Sequence, residues 1–180
     1  MARRRTRRLS LATLVALALA FLLARFGGEL RDVLRPGPEP GAGWYEVERV
    51  VDGDTLVVSP NPFPQSSSGD RIRLLGVDTP EGVHPNKPME RFGREAAAFT
   101  RRLCEGQRVR LEFEPGNTQD RYGRTVAYVF LDDGTLVNAE IIRQGYGYAY
   151  TRYPFARMDE FRALEAEARA ARRGLWSETD

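Results

Sequence analysis

Tyr45-Glu-Val-Glu-Arg-Val-Val-Asp-Gly-Asp-Thr-Leu-Val-Val58 is the stretch from which the fold class is read. Tyr45 to Val51 and Thr55 to Val58 are rich in β-branched residues, and Asp52-Gly53 between them is a strong short-range hairpin signal. Two antiparallel strands are expected here. Downstream, Arg71-Ile-Arg-Leu-Leu-Gly-Val77 alternates so that Arg71 and Arg73 share one face of a third strand. Arg108 to Glu114 alternates with Val109, Leu111 and Phe113 inward, and Val126 to Leu131, apolar on both faces, reads as a central strand. Asp133-Gly134 is expected to turn that strand toward Thr135 to Val137.

Helical periods separate and follow these strands. Met89, Phe92, Ala96, Phe99 and Leu103 recur at spacings of three and four and stop near Gly106. Asn138 is placed to cap a short helix that Gly145 closes. In the last helix Phe161, Leu164, Ala168 and Ala171 form one stripe, with Glu165 and Arg169 paired four apart on the other face. Five short strands and three helices make an α+β domain, mainly β, and a small closed barrel removes the strand edges economically. A Pro/Ser-rich insert, Ser59 to Gly69, interrupts the strands.

Composition narrows the chemistry. The chain has 180 residues, enough for one domain with its own core. A single cysteine, Cys104, and a single histidine, His84, exclude a disulfide framework, a thiolate zinc site and an HExxH helix. Catalysis must run on carboxylates and arginines. The net charge of +2 hides an uneven distribution. Residues 1–35 carry eight arginines against Glu29 and Asp32, or +6, which leaves −4 for the rest. Such a domain is not a general DNA-coating surface, and any nucleic-acid contact is a local site.

The N-terminus reads as a targeting element over residues 1–26, followed by a Pro/Gly-rich linker over 27–43. Arg3, Arg4, Arg5, Arg7 and Arg8 precede the uncharged run Leu9 to Ala24, the order of a signal peptide or signal anchor. Ala18-Leu19-Ala20 offers a cleavage signal, whereas Phe21, Leu22 and Leu23 prolong the run as an uncleaved anchor would. The excess of arginine before the run predicts a cytoplasmic N-terminus and an extracytoplasmic domain, secreted or held on the membrane by this segment.

Three carboxylates fall beside turns: Asp54 after the hairpin turn, and Asp78 and Glu81 around Thr79-Pro80. Asp52 and Asp54 taken alone are more simply explained as turn residues, and Asp78 and Glu81 equally well as a strand-to-loop cap. Pro80 biases Thr79 away from helix, so two carboxylates and the Thr79 carbonyl form an oxygen set that suits a hard cation, calcium more readily than zinc or magnesium. Leu56 and Val57 exclude an EF-hand loop. Asp120-Arg-Tyr-Gly-Arg124 delivers Arg124 to the start of the central strand, where a planar guanidinium suits bidentate phosphate contact. A solvated arginine is the alternative there, and a salt bridge is the alternative for Arg73.

Taken in order, Val51-Asp-Gly-Asp-Thr55, Arg73-Leu-Leu-Gly-Val-Asp-Thr-Pro-Glu81 and Asp120-Arg-Tyr-Gly-Arg124 resemble the staphylococcal nuclease (thermonuclease) family. The resemblance continues through His84-Pro85, Phe92-Gly-Arg-Glu-Ala96, Val137-Asn138, Arg143-Gln-Gly145 and Gly174-Leu-Trp176, so that residues 44–177 form the nuclease-like domain. It implies an OB-fold barrel of five strands with three helices. It further implies an exported, calcium-dependent nuclease that cleaves DNA and RNA, single-stranded or frayed, and leaves 3′-phosphate ends as a monomer. By the same resemblance Asp54, Asp78 and Thr79 bind Ca2+, Arg73, Glu81 and Arg124 are catalytic, and Arg121, Tyr122, Tyr150 and Tyr153 contact the substrate. The tyrosines are equally assignable to core or rim packing. A non-catalytic OB-fold nucleic-acid-binding module is the competing reading, and it predicts binding without cleavage.

Overall fold

The computed structural model describes residues 43–63, 70–82 and 90–177, all within the unit Pro40–Asp180. The targeting segment, most of the linker, residues 64–69 of the insert, His84-Pro85 and Met89 lie outside the described residues. Strands β1 (Trp44–Asp52), β2 (Thr55–Ser59), β3 (Arg71–Leu74), β5 (Arg108–Glu112) and β6 (Thr125–Leu131) close a barrel in the order β1-β2-β3-β6-β5. Every neighbouring pair is antiparallel except β3 and β6, which run parallel with Ile72 opposite Thr125 and Leu74 opposite Ala127. A two-stranded ribbon joins β4 (Val77–Asp78) to β7 (Tyr148–Ala149). The helices are α1 (Gly93–Cys104), α2 (Val137–Arg143) and α3 (Met158–Ala170), followed by a 3-10 turn, Gly174–Trp176. No helix among the described residues is long and apolar enough to cross a membrane.

At the β1–β2 hairpin Asp52 pairs with Thr55, Gly53-Asp54 reverse the chain, and the Asp52 carboxylate accepts the Gly53 amide at 2.8 Å. Inward residues of the barrel, including Val47, Leu56, Ile72, Leu74, Val109 and Val129, are fully buried, and α3 packs Phe161 edge-on to Tyr128 at 6.3 Å. Burial of this apolar set drives closure. Helix α1 is tied to the hairpin turn by one polar bond, Thr100 Oγ1 donating to the Gly53 carbonyl at 2.7 Å.

Several sequence expectations are corrected. The third strand does not reach Val77: Leu75-Gly76 turns the chain, Gly76 at φ +74°, and Val77–Asp78 leaves the barrel to pair with β7. Strand β5 ends at Glu112, and half-buried Phe113 packs edge-on to Phe63 at 5.4 Å. Thr135 to Val137 is not a strand. Gly134 makes the turn, a single Phe130–Leu136 bridge follows, and α2 begins at Val137. Asn138 is not a cap either, because it lies inside α2 with its side chain fully buried. Its Oδ1 accepts the Val129 amide at 2.9 Å, and its Nδ2 donates to the carbonyls of Leu75 (2.9 Å) and Ala127 (3.1 Å). Ala171 lies past the end of α3 and is exposed, so the buried stripe is Phe161, Leu164 and Ala168. Phe92 stands before α1 at φ +75°, its ring stacked on Tyr146 at 5.4 Å.

Candidate active site

Arg73 is the centre of the polar cluster. Position 73 on β3 lies opposite Thr55 of β2 and Val126 of β6 in register, which puts the guanidinium near the residues that precede both strands, Asp54 and Arg124. Its Nη1 is ion-paired to the Asp54 carboxylate, and its Nη2 lies 3.0 Å from Asp78 Oδ1 and 3.3 Å from the Val77 carbonyl. Burial pulls the guanidinium pKa down, opposed by the charge of Asp78 and reinforced by that of Arg124. Two carboxylates thus converge on one cationic group.

Asp54 is buried and heavily engaged. Besides Arg73 it accepts Thr55 Oγ1 at 3.1 Å, the Thr79 amide at 3.0 Å and Thr79 Oγ1 at 3.2 Å. These donors match the lone-pair capacity of a carboxylate. They also staple the hairpin turn to the Thr79-Pro80 segment, and Gly53 has no room for a Cβ, which would fall 2.6 Å from Thr79 Oγ1. Asp78, by contrast, keeps 49% of its side chain exposed and is open to a ligand from solvent.

Glu81 follows on the same loop, its carboxyl against that of Asp52. Burial, together with the hydrogen bond and charge of Glu81, pushes the Asp52 carboxyl up to about 6. The Glu81 backbone is pinned from the other side. Its carbonyl accepts the Glu90 amide at 3.0 Å and its amide donates to Glu90 Oε2 at 3.1 Å. The start of α1 presses on it so closely that a Cβ at Gly93 would fall 2.5 Å from the Glu81 carbonyl oxygen. Only glycine fits there.

Arg124 stands just before β6. Asp120 holds it through Oδ2 from Nε at 2.6 Å and through Oδ1 from the Arg124 and Tyr122 amides, both at 2.9 Å. Partial burial raises the Asp120 pKa, but these hydrogen bonds outweigh it and hold the carboxyl below the ordinary range. Because Asp120 takes Nε, the terminal nitrogens of the fork are left for another anion. Tyr122, 66% exposed, lies under both Arg121 and Arg124, with guanidinium-to-ring distances of 4.6 and 5.4 Å.

A cavity of about 750 Å³ connects Arg73 and Asp78 with Asp120 and Arg124. Of the residues expected from the sequence, Arg73, Asp78, Arg121, Tyr122, Arg124, Tyr150 and Tyr153 line it. Asp54 and Thr79 stand behind Arg73 rather than on the wall, and Glu81 is placed beside Asp52. Tyr150 and Tyr153 meet with centroids 6.2 Å apart. Sequence reasoning gave no role to Asp52, Glu90 or Asp120 beyond turn chemistry. The signal for Asp120 was present in its spacing, four residues before Arg124, where an Asx turn brings the two together; Glu90 carried none.

Among the described residues no group of three or more His, Cys, Asp or Glu side chains is arranged as a ready metal site. The donors that are present, two carboxylates on one guanidinium beside Thr79, are all oxygen and fit a hard cation.

A cluster of carboxylates and arginines beside a closed five-stranded barrel with three helices defines an OB-type domain. A family model described as staphylococcal nuclease homologue matches residues 71–178. The chain is 37% identical over 134 residues to the thermonuclease of Staphylococcus hyicus, covering 74% of this chain and 75% of that one. It is 38% identical over 136 residues to the thermonuclease of Staphylococcus intermedius, covering 73% and 75%. With endonuclease YncB of Bacillus subtilis (strain 168) it shares 34% over 135 residues, covering 74% and 61%. The chain belongs to the staphylococcal nuclease family and is a phosphodiester-hydrolysing nuclease.

Proposed function

We propose that this nuclease is exported, depends on calcium, and hydrolyses DNA and RNA with little sequence preference to leave 3′-phosphate ends. The observation that carries the reading is the convergence of Asp54 and Asp78 on Arg73 at a cavity whose wall also holds Arg124. Asp54, Asp78 and the Thr79 carbonyl are the residues that would hold the ion. Bound calcium supplies Lewis-acid polarisation of a phosphoryl oxygen. The Asp54 oxygens accept Arg73, Thr55 and Thr79, so Arg73 would have to release Asp54 for that carboxylate to hold an ion, and its guanidinium would then be left for the substrate phosphate.

In this scheme Arg73 and Arg124 bind the phosphate and stabilise the charge that builds as water attacks phosphorus. Glu81 takes the proton of that water, directly or by orienting it, and the 5′ oxygen leaves. No covalent enzyme intermediate is needed. Phosphate contacts are blind to sequence, and Arg121, Tyr122, Tyr150 and Tyr153 add charge and aromatic faces on which any base of a single-stranded or frayed substrate stacks. In this scheme the enzyme acts as a monomer. The arginine-then-apolar N-terminus supports export, either secreted or anchored to the membrane. An extracytoplasmic site works at calcium levels on the order of 10⁻⁴ to 10⁻³ M.

The test is cleavage of fluorescent single-stranded DNA and RNA by the full-length chain in calcium and in chelator, with Glu81→Ala alongside. Calcium-dependent cleavage that collapses in the variant is expected, with 3′-phosphate ends on the products. A folded chain that binds either polymer in calcium without cutting it establishes the non-catalytic module instead.

A further inference from the structure

The row of aromatic side chains does not stop at the cavity. Strand β7 lies antiparallel to β4 with Tyr148 opposite Asp78 and Ala149 opposite Val77, and the ladder runs on as the Tyr150 amide donates to the Gly76 carbonyl at 2.9 Å. Directly opposed residues share a face and alternate residues return to it. Tyr148 and Tyr150 therefore project from the face that carries Asp78, about 6.6 Å apart at the usual strand rise, while Val77 on the other face is buried. Tyr150 belongs to the cavity and meets Tyr153. Tyr148 lies outside it. It is 37% exposed, with Trp176 edge-on to it at 5.4 Å and Arg169 over the Trp176 ring at 4.0 Å.

We infer that Tyr148, backed by Trp176, is a second base-stacking platform on the Asp78 flank of the phosphate site, taking the base of the nucleotide that leads away from the cavity. The inference rests on the nuclease reading above and extends its substrate site by one nucleotide. Its occupant is an unpaired base of the bound nucleic-acid strand, because the platform continues the face that presents Asp78 and Tyr150. Recognition there is by stacking, which any base satisfies. Arg169, the cation of the cluster, is committed to Glu165 Oε1, so the platform adds little net charge. Its contribution to binding is accordingly insensitive to salt.

The experiment uses the full-length chain carrying Glu81→Ala, so that substrate survives, and reads the anisotropy of fluorescein-labelled thymidine hexamers in calcium. Adding Tyr148→Ala is expected to weaken binding about tenfold without changing its salt dependence, and Tyr148→Phe to restore it. A second arm uses hexamers with one abasic residue at successive positions. One position is expected to weaken binding to Tyr148, and that loss is expected to vanish in Tyr148→Ala. Equal affinity with and without Tyr148, or an abasic penalty that is the same in both proteins, overturns the platform and assigns Tyr148 to packing of the C-terminal turn alone. Cleavage of the unmodified hexamer by the chain with Glu81 intact reports separately on the nuclease reading.

Discussion

Arg73 occupies the space between Asp54 and Asp78, its Nη1 ion-paired to the first and its Nη2 3.0 Å from the second. The two carboxylates therefore share one internal cation, and a metal ion must compete with the chain's own guanidinium for them. Arg73→Ala is expected to tighten calcium binding several-fold while lowering kcat by about 10²- to 10³-fold, the usual effect of removing one donor from developing transition-state charge. Calorimetric titration with calcium and steady-state cleavage check the two halves independently. A weaker calcium site in the variant shows that Arg73 organises the carboxylates rather than competing for them.

Asp120 decides where the Arg124 fork points, since it takes Nε at 2.6 Å and anchors the loop through two amides. Asp120→Ala is expected to lower kcat about 10- to 100-fold by letting the guanidinium wander. Asp120→Asn keeps an acceptor for the amides and should retain more activity. Measuring both against Arg124→Ala checks the route: combining Asp120→Ala with Arg124→Ala is expected to cost little beyond Arg124→Ala alone.

The raised Asp52 carboxyl makes a pH prediction with a definite sign. With a folded-state value of about 6 against 3.8, the native state holds more protons between those values than the unfolded chain does. The associated stability is complete below about pH 4 and is lost as pH rises through 6. Asp52→Asn should remove that slope and gain about 1–2 kcal/mol at pH 7, after allowance for the solvent around a half-buried group. Urea unfolding in chelator from pH 4 to 7 measures it. An unchanged slope in the variant rules Asp52 out as its source.

Asn138 ties α2 to both β6 and the Leu75-Gly76 turn through three buried hydrogen bonds. Asn138→Ala leaves one buried amide and two carbonyls short of a partner and is expected to cost about 3 kcal/mol in urea unfolding. Asn138→Asp should be no better, because a carboxylate cannot donate to the Leu75 and Ala127 carbonyls. The same loss loosens the turn that precedes Asp78, so cleavage should fall more steeply than stability alone explains.

Burial pushes the Cys104 thiol up to about 12, with Glu105 adding to the effect. Its labelling by a thiol reagent at pH 8 is expected to be negligible in the native chain and complete in denaturant. Rapid native labelling shows that α1 opens locally. That opening would also release Thr100 from the Gly53 carbonyl.

Much of the barrel was legible along the chain. The β-branched runs Tyr45 to Val51 and Thr55 to Val58, the alternation over Arg108 to Glu112, the doubly apolar Val126 to Leu131 and the Asp52-Gly53 turn are local signals, because side-chain period and turn chemistry depend on near neighbours. The family resemblance placed Asp54, Asp78 and Arg73 in one site, and the absence of further cysteine and histidine confined the chemistry to carboxylates and arginines. What the chain alone did not disclose depends on partners far away in sequence. The parallel β3–β6 contact closes the barrel, and its reward appears only when residues about fifty apart meet. The exit of Val77–Asp78 from β3 is decided by β7, and the inward turn of Asn138 by carbonyls that β6 and the Leu75 turn leave to be satisfied. Glu81 is set by Glu90 and by the close approach of Gly93. The residues of the site were thus determined by the sequence, whereas their orientation toward one another was decided by tertiary contacts, because a buried polar group takes its direction from whichever distant partner satisfies it.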